Sequence, residues 1–105
     1  MEKFNSLIEI KIQLYHNHKL KNGMVYELDL YKIKGFEAVK IDGILKLPKP
    51  TQKTLSAKTE KLVYFKSNNF PNELDFLISN RRFKIIDLEE NCYVGKGKII
   101  GVTNI

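Results

Sequence analysis

The chain has 105 residues, 43% hydrophobic and 29% charged, a balance that predicts one globular domain over residues 1–105 and excludes a disordered chain. No run approaches the roughly 18 apolar residues of a membrane helix, and Met1-Glu2-Lys3-Phe4-Asn5 holds neither an apolar signal core nor a small-residue cleavage site, so a cytoplasmic protein is expected. The formal net charge of +6 attracts phosphate-bearing partners, although only Arg81 and Arg82 among the 18 cations are the arginines that bidentate recognition favours.

The first strong signal is Ile8, Ile10, Ile12 and Leu14 interleaved with Glu9, Lys11, Gln13 and Tyr15. That is period two, a strand with one buried face. His16 to Gly23 is polar, ends in Asn22-Gly23 and reads as a loop closing on a turn. A second alternation sets Met24, Tyr26, Leu28 and Leu30 against Val25, Glu27, Asp29 and Tyr31, and Lys34-Gly35 breaks it. A third sets Val39, Ile41, Gly43, Leu45 and Leu47 against Ala38, Lys40, Asp42, Ile44 and Lys46, with Gly43 predicting a bulge or bend.

Pro48-Lys49-Pro50 ends that strand. Residues 51–61 are polar, lack a helical period and form the longest loop candidate, with room for a short strand near Leu55. Leu62 to Phe65 reads as a strand, Ser67 to Asn72 as a turn cluster, and Leu74, Phe76 and Ile78 as a further alternation. After a turn at Ser79-Asn80, Arg82 to Asp87 gives a short strand, Asp87 to Asn91 a hairpin turn, and Cys92 to Thr103 a bent closing strand marked by Gly95, Gly97 and Gly101. Six to eight short strands with recurrent turns are the pattern of a sandwich or barrel.

Catalytic constellations do not assemble. Cys92 is the one cysteine; no base stands beside it in sequence, and a small apolar strand residue is the simplest reading. His16 and His18 would share one face of a strand and could converge on a metal, but no third ligand is close, so two loop imidazoles are expected. Gly95-Lys96-Gly97-Lys98 resembles a phosphate loop only superficially, since Ile99 and Ile100 continue a strand where such a loop needs Ser or Thr and a helix. No catalytic site, metal, cofactor or small-molecule substrate is expected.

Lys46, Lys49, Lys53, Lys58 and Lys61 cluster in and around the long loop, and with Arg81 they are the candidate contacts for a nucleic-acid or protein partner. A solvated loop would carry the same charges. Tyr15 and Tyr31 fall on outward positions, where a base could stack; Tyr26 falls in the core.

The last hairpin has a further likeness. Arg82-Phe83-Lys84-Ile85-Ile86-Asp87, a short turn, then Tyr93-Val94-Gly95-Lys96-Gly97-Lys98-Ile99-Ile100 resembles the end of the C-terminal β-barrel domain of elongation factor Tu and related translational GTPases. Those end in an Arg-Phe-x-x-Arg-Glu strand, a hairpin and a Thr-Val-Gly-x-Gly-x-Val strand. Ile86 and Asp87 replace the Arg-Glu pair, and no GTPase domain stands in these residues. The resemblance implies an all-β, closed antiparallel Greek-key barrel of about six strands and does not license GTP hydrolysis. It also implies a docking role, because barrels of that kind receive transfer RNA or proteins. The expected interior is Ile8, Ile10, Ile12, Leu28, Leu30, Val39, Ile41, Phe83, Ile85 and Ile99. The expected function is a stand-alone binding module for a protein or RNA; the alternative is an immunity-type protein that neutralises a bacterial toxin.

Overall fold

The computed structural model describes residues 6–31, 39–49, 51–56, 58–68 and 81–104. Eight strands lie among them: β1 (Ser6–Leu14), β2 (Leu20–Lys21), β3 (Val25–Leu30), β4 (Val39–Lys46), β5 (Thr54–Leu55), β6 (Lys61–Ser67), β7 (Arg82–Asp87) and β8 (Cys92–Asn104). Six of them close into an antiparallel barrel in the order β1-β6-β4-β3-β7-β8, with β8 paired back onto β1. β3, β4 and β6 form a meander, and β1 lies beside β6 instead of β3, which is Greek-key connectivity.

Alternation builds the core. Ile8, Ile10, Ile12 and Leu14 of β1 point inward with Tyr26, Leu28 and Leu30 of β3, Ile41 and Leu45 of β4, Val63 and Phe65 of β6, Phe83 and Ile85 of β7 and Ile99 of β8, and all are buried. Of the expected interior only Val39 is partly buried, packed against this cluster.

The β1–β3 connection must cross one end of the barrel, and there the sequence misleads. The polar segment read as a plain loop contains β2, and its Leu20 is fully buried. β2 pairs with β5 through Leu20↔Leu55 and Lys21↔Thr54, so the short strand expected near Leu55 exists and has its partner in the other connection at that end. Asn22 ties the two connections together. Its Oδ1 accepts from Leu47 N (3.0 Å), its Nδ2 donates to Gln52 O (3.1 Å), and its backbone N donates to Lys53 O (2.8 Å). Gly23 then takes the left-handed φ of 81° that lets its N reach Leu45 O at 2.8 Å.

Gly43 does not mark a bulge. The β3–β4 register runs unbroken from Leu30↔Val39 to Val25↔Ile44. The glycine instead makes room for the Phe65 ring and the Lys66 carbonyl, which a Cβ there would strike. Both register shifts fall in β8, as the bent closing strand requires. Against β1 the partner jumps from Gly101 at Glu9 to Ile99 at Ile10, leaving Ile100 extra. Against β7 it jumps from Gly95 at Ile85 to Tyr93 at Ile86, leaving Val94 extra.

The 87–91 turn forms as expected. Asp87 Oδ1 accepts from Glu89 N (3.0 Å) and Glu90 N (3.3 Å), and Asn91 takes a φ of 53°. The break at Lys34-Gly35, most of the 67–72 cluster, the Leu74–Ile78 alternation and the Ser79-Asn80 turn lie outside the described residues. Among those described, no helix is long and apolar enough to cross a membrane.

Candidate polyanion-binding face

In a closed antiparallel sheet, outward side chains of neighbouring strands stand in cross-strand rows. One row on this barrel reads Leu62, Lys11, Lys98, Arg82 across β6, β1, β8 and β7, through the pairs Lys11↔Leu62, Lys11↔Lys98 and Arg82↔Lys98. Tyr31 continues it after β3, its N donating to Arg82 O at 2.9 Å. The next row reads Gln13, Lys96, Lys84, Asp29. Lys84 Nζ lies 5.1 Å from the Tyr93 ring centroid, and Tyr93 donates its hydroxyl to Asp29 Oδ2 at 3.0 Å, a bond that pushes the Tyr93 pKa up.

Like charges directly opposite each other repel. Among the described residues the one ion pair is Lys40–Glu27 at 3.8 Å, so Lys98 faces Lys11 and Arg82, and Lys96 faces Lys84, with no ion pair to a described carboxylate. Between the rows opens a cleft of about 260 Å³ lined by Gln13, Tyr31, Glu60, Arg82, Lys96 and Lys98, with Gly97 at its wall. Three cations there outweigh one carboxylate.

The loop lysines divide around this cleft. Lys58 borders it, its carbonyl oxygen accepting from Gln13 Nε2 at 2.6 Å; Lys61 stands opposite the inward Ile12 and so does not share the outer rows. Lys46, opposite Tyr64 on β4, and Lys49 and Lys53 beyond it are exposed but do not line it. Arg81 is not a surface cation. It is 6% exposed, and its Nε (3.1 Å) and Nη2 (2.6 Å) donate to Tyr31 O. Desolvation lowers its pKa from the usual arginine value, yet an arginine stays charged. Alternation explains the divergence of neighbours: Arg82 points out into the cleft, while Arg81 points in and braces Tyr31 from behind.

Lys11, Arg82, Lys84, Lys96 and Lys98 were not legible as a group. Each is the outward residue of its own alternation, but only the register makes them neighbours. Tyr15 and Tyr31 are exposed and Tyr26 is buried, as their parity predicts. His16 and His18 sit in a turn about Asn17, whose φ is 66°, and not on a strand. Cys92 is half-buried against the core.

The β3–β4 face is mixed in sign, with acids set against one another at one pair. Glu27 stands directly across from Asp42, with Asp29 two residues along. Burial first, then Asp42, raises the Glu27 pKa. The folded state therefore holds the Glu27 proton more tightly than the unfolded chain, and stability falls as pH rises from near 4.5 through the raised folded value. Glu27→Gln is expected to be more stable than wild type at neutral pH by about 0.2–1 kcal/mol, the range for an opposed like-charge pair. The advantage should fade below pH about 4.5. Urea unfolding at the two pH values measures this, and an equal advantage at both would reject the repulsion.

Comparison with protein-family models, curated proteins and solved structures found no match to the chain.

Proposed function

We propose that this barrel is a non-catalytic binding module that docks RNA across the outer face of β7, β8 and β1. The observation that carries the reading is the cross-strand row Lys11–Lys98–Arg82, which stands beside Lys96 with no ion pair to a carboxylate among the described residues. Such a row costs folding energy in the free protein, and a polyanion laid along it turns repulsion into attraction. Lys58 extends the positive field along one side, and the acidic Glu27 and Asp42 on the β3–β4 face orient the approach. The likeness of the last hairpin to translation-factor barrels, which receive transfer RNA or proteins, agrees with this role.

Fluorescence anisotropy with single-stranded RNA, duplex RNA and transfer RNA at several salt concentrations tests the proposal. Phosphate contacts from Lys11, Lys96, Lys98 and Arg82 predict a log–log salt slope of about 3, at about 0.7–0.9 per contact. Lys98→Ala should lower the slope by about one contact's worth, and Lys49→Ala or Lys53→Ala by less. Absence of binding at about 100 micromolar protein in low salt, where non-specific binders register, would reject the RNA reading in favour of a protein partner.

A further inference from the structure

The cleft differs from a plain phosphate-binding surface in three respects. It is concave, and its volume of about 260 Å³ sits just under the roughly 300 Å³ lower end of small-molecule pockets, room for a ring as well as a charge. It presents the half-exposed Tyr31, whose main chain is held on both sides: N donates to Arg82 O, and O accepts from Nε and Nη2 of the buried Arg81. These bonds fix the main chain from which the ring projects, so binding has only the side chain left to order. Its lining also includes Glu60, a carboxylate with no ion-pair partner among the described residues.

Glu60 would repel a bare phosphate. A nucleotide satisfies both signs, because its phosphate is an anion while its base edge carries hydrogen-bond donors. We infer that the cleft receives one nucleotide of a bound single strand, with its phosphate on Arg82 and Lys98, its base against Tyr31 and its base edge toward Glu60. This rests on the RNA reading above and adds strand type and base choice to it. A carboxylate accepts from the N4 amino group of cytosine. Uracil carries a carbonyl at the same ring position and offers an acceptor instead. Glu60 therefore selects cytosine over uracil, two bases of nearly equal size.

The experiment uses the full chain, above neutral pH, with labelled oligocytidylate, oligouridylate and an RNA duplex. The proteins are wild type, Tyr31→Ala, Tyr31→Phe and Glu60→Gln. Both side chains are exposed, and thermal unfolding checks that each variant folds. Wild type is expected to bind the cytosine strand about fivefold tighter or more, the discrimination of about one good base contact. Glu60→Gln should bring the cytosine-to-uracil ratio close to one. Using the ratio cancels the general gain from removing a negative charge. Tyr31→Ala should weaken both single strands by about fivefold to a hundredfold, the range of base–aromatic stacking. It should leave the duplex affinity and the salt slope unchanged, and Tyr31→Phe should keep single-strand affinity. RNA binding without a cytosine preference, a preference that survives Glu60→Gln, or an equal loss for strand and duplex in Tyr31→Ala would overturn the inference while leaving the RNA reading in place. Failure of wild type to bind any RNA would remove both.

Discussion

Phe83→Ala is expected to cost about 3–5 kcal/mol of folding stability, the range for removing a buried aromatic ring from a core. A domain of this size holds about 5–15 kcal/mol in total, so the variant should lose a large share of its stability and unfold at a clearly lower urea concentration than wild type. Phe83 is fully buried on β7, paired with Leu30 of β3 on one side and Gly97 of β8 on the other. Its ring occupies space that Gly97 leaves empty, since a Cβ on Gly97 would lie 2.9 Å from Phe83 Cζ and would also press on the Lys11 carbonyl oxygen. The ring and the glycine therefore form one packing unit. Gly97→Ala should destabilise as well, by about 1–3 kcal/mol or more as overpacking does. Combined with Phe83→Leu it should cost less than the two single changes together, because they share a contact. The relief is partial, since the Lys11 carbonyl belongs to the backbone of β1 and cannot turn aside. Urea unfolding with an unchanged m-value measures each figure. A cost below about 1 kcal/mol for Phe83→Ala would contradict the placement of this ring in the barrel interior.

The same pair shows what can be read along the chain and what cannot. Alternation is local, so the inward residues of β1, β3, β4 and β7 declare themselves from their spacing, and so does the division between Tyr26 and Tyr31. Gly43 and Gly97 are equally visible, but the reason for each lies on another strand: Phe65 for one, Phe83 for the other. Gly43 inside an alternating run predicts a bulge or bend, and only the register shows that the bulges fall at Val94 and Ile100 of β8. Leu20 is a lone apolar residue in a polar stretch. Its burial follows from the crossing of the barrel end by the β1–β3 connection, a property of topology that no local period carries.

The cationic face follows the same logic. Lys46, Lys49, Lys53, Lys58 and Lys61 read as a cluster because they are close in sequence, whereas Lys11, Arg82 and Lys98 are scattered along the chain and meet only when β1, β7 and β8 pair. Arg81 and Arg82 are adjacent in sequence and have opposite fates. Parity of the strand that follows assigns them correctly, but only once the strand's start and inward face are known.

Lys98→Glu should separate the proposed function from the fold. Lys98 is the middle member of its row, directly opposite Lys11 on one side and Arg82 on the other. Reversing its charge replaces two repulsions with two attractions, so the variant is expected to be more stable than wild type by about 0.2–1 kcal/mol per cross-strand pair. RNA binding should move the other way. The substitution removes one charge-assisted phosphate contact, worth about 1.5–3 kcal/mol, and places a carboxylate where the phosphate would sit. Arg82 and Lys11 then turn toward that carboxylate and are partly withdrawn from the ligand. An affinity loss of about a hundredfold or more at low salt is expected, at about 1.4 kcal/mol per tenfold, with the salt slope reduced by more than one contact. Most substitutions that abolish binding by damaging a fold lower both quantities together. Here stability and affinity are predicted to diverge, so unfolding and anisotropy measured on one preparation decide the matter. A variant that gains stability and binds RNA as wild type does would remove the β7–β8–β1 face from the interface. A variant that loses stability would contradict the repulsion within the row, provided that Lys98→Gln, which removes the charge without adding one beside Glu60, also fails to stabilise.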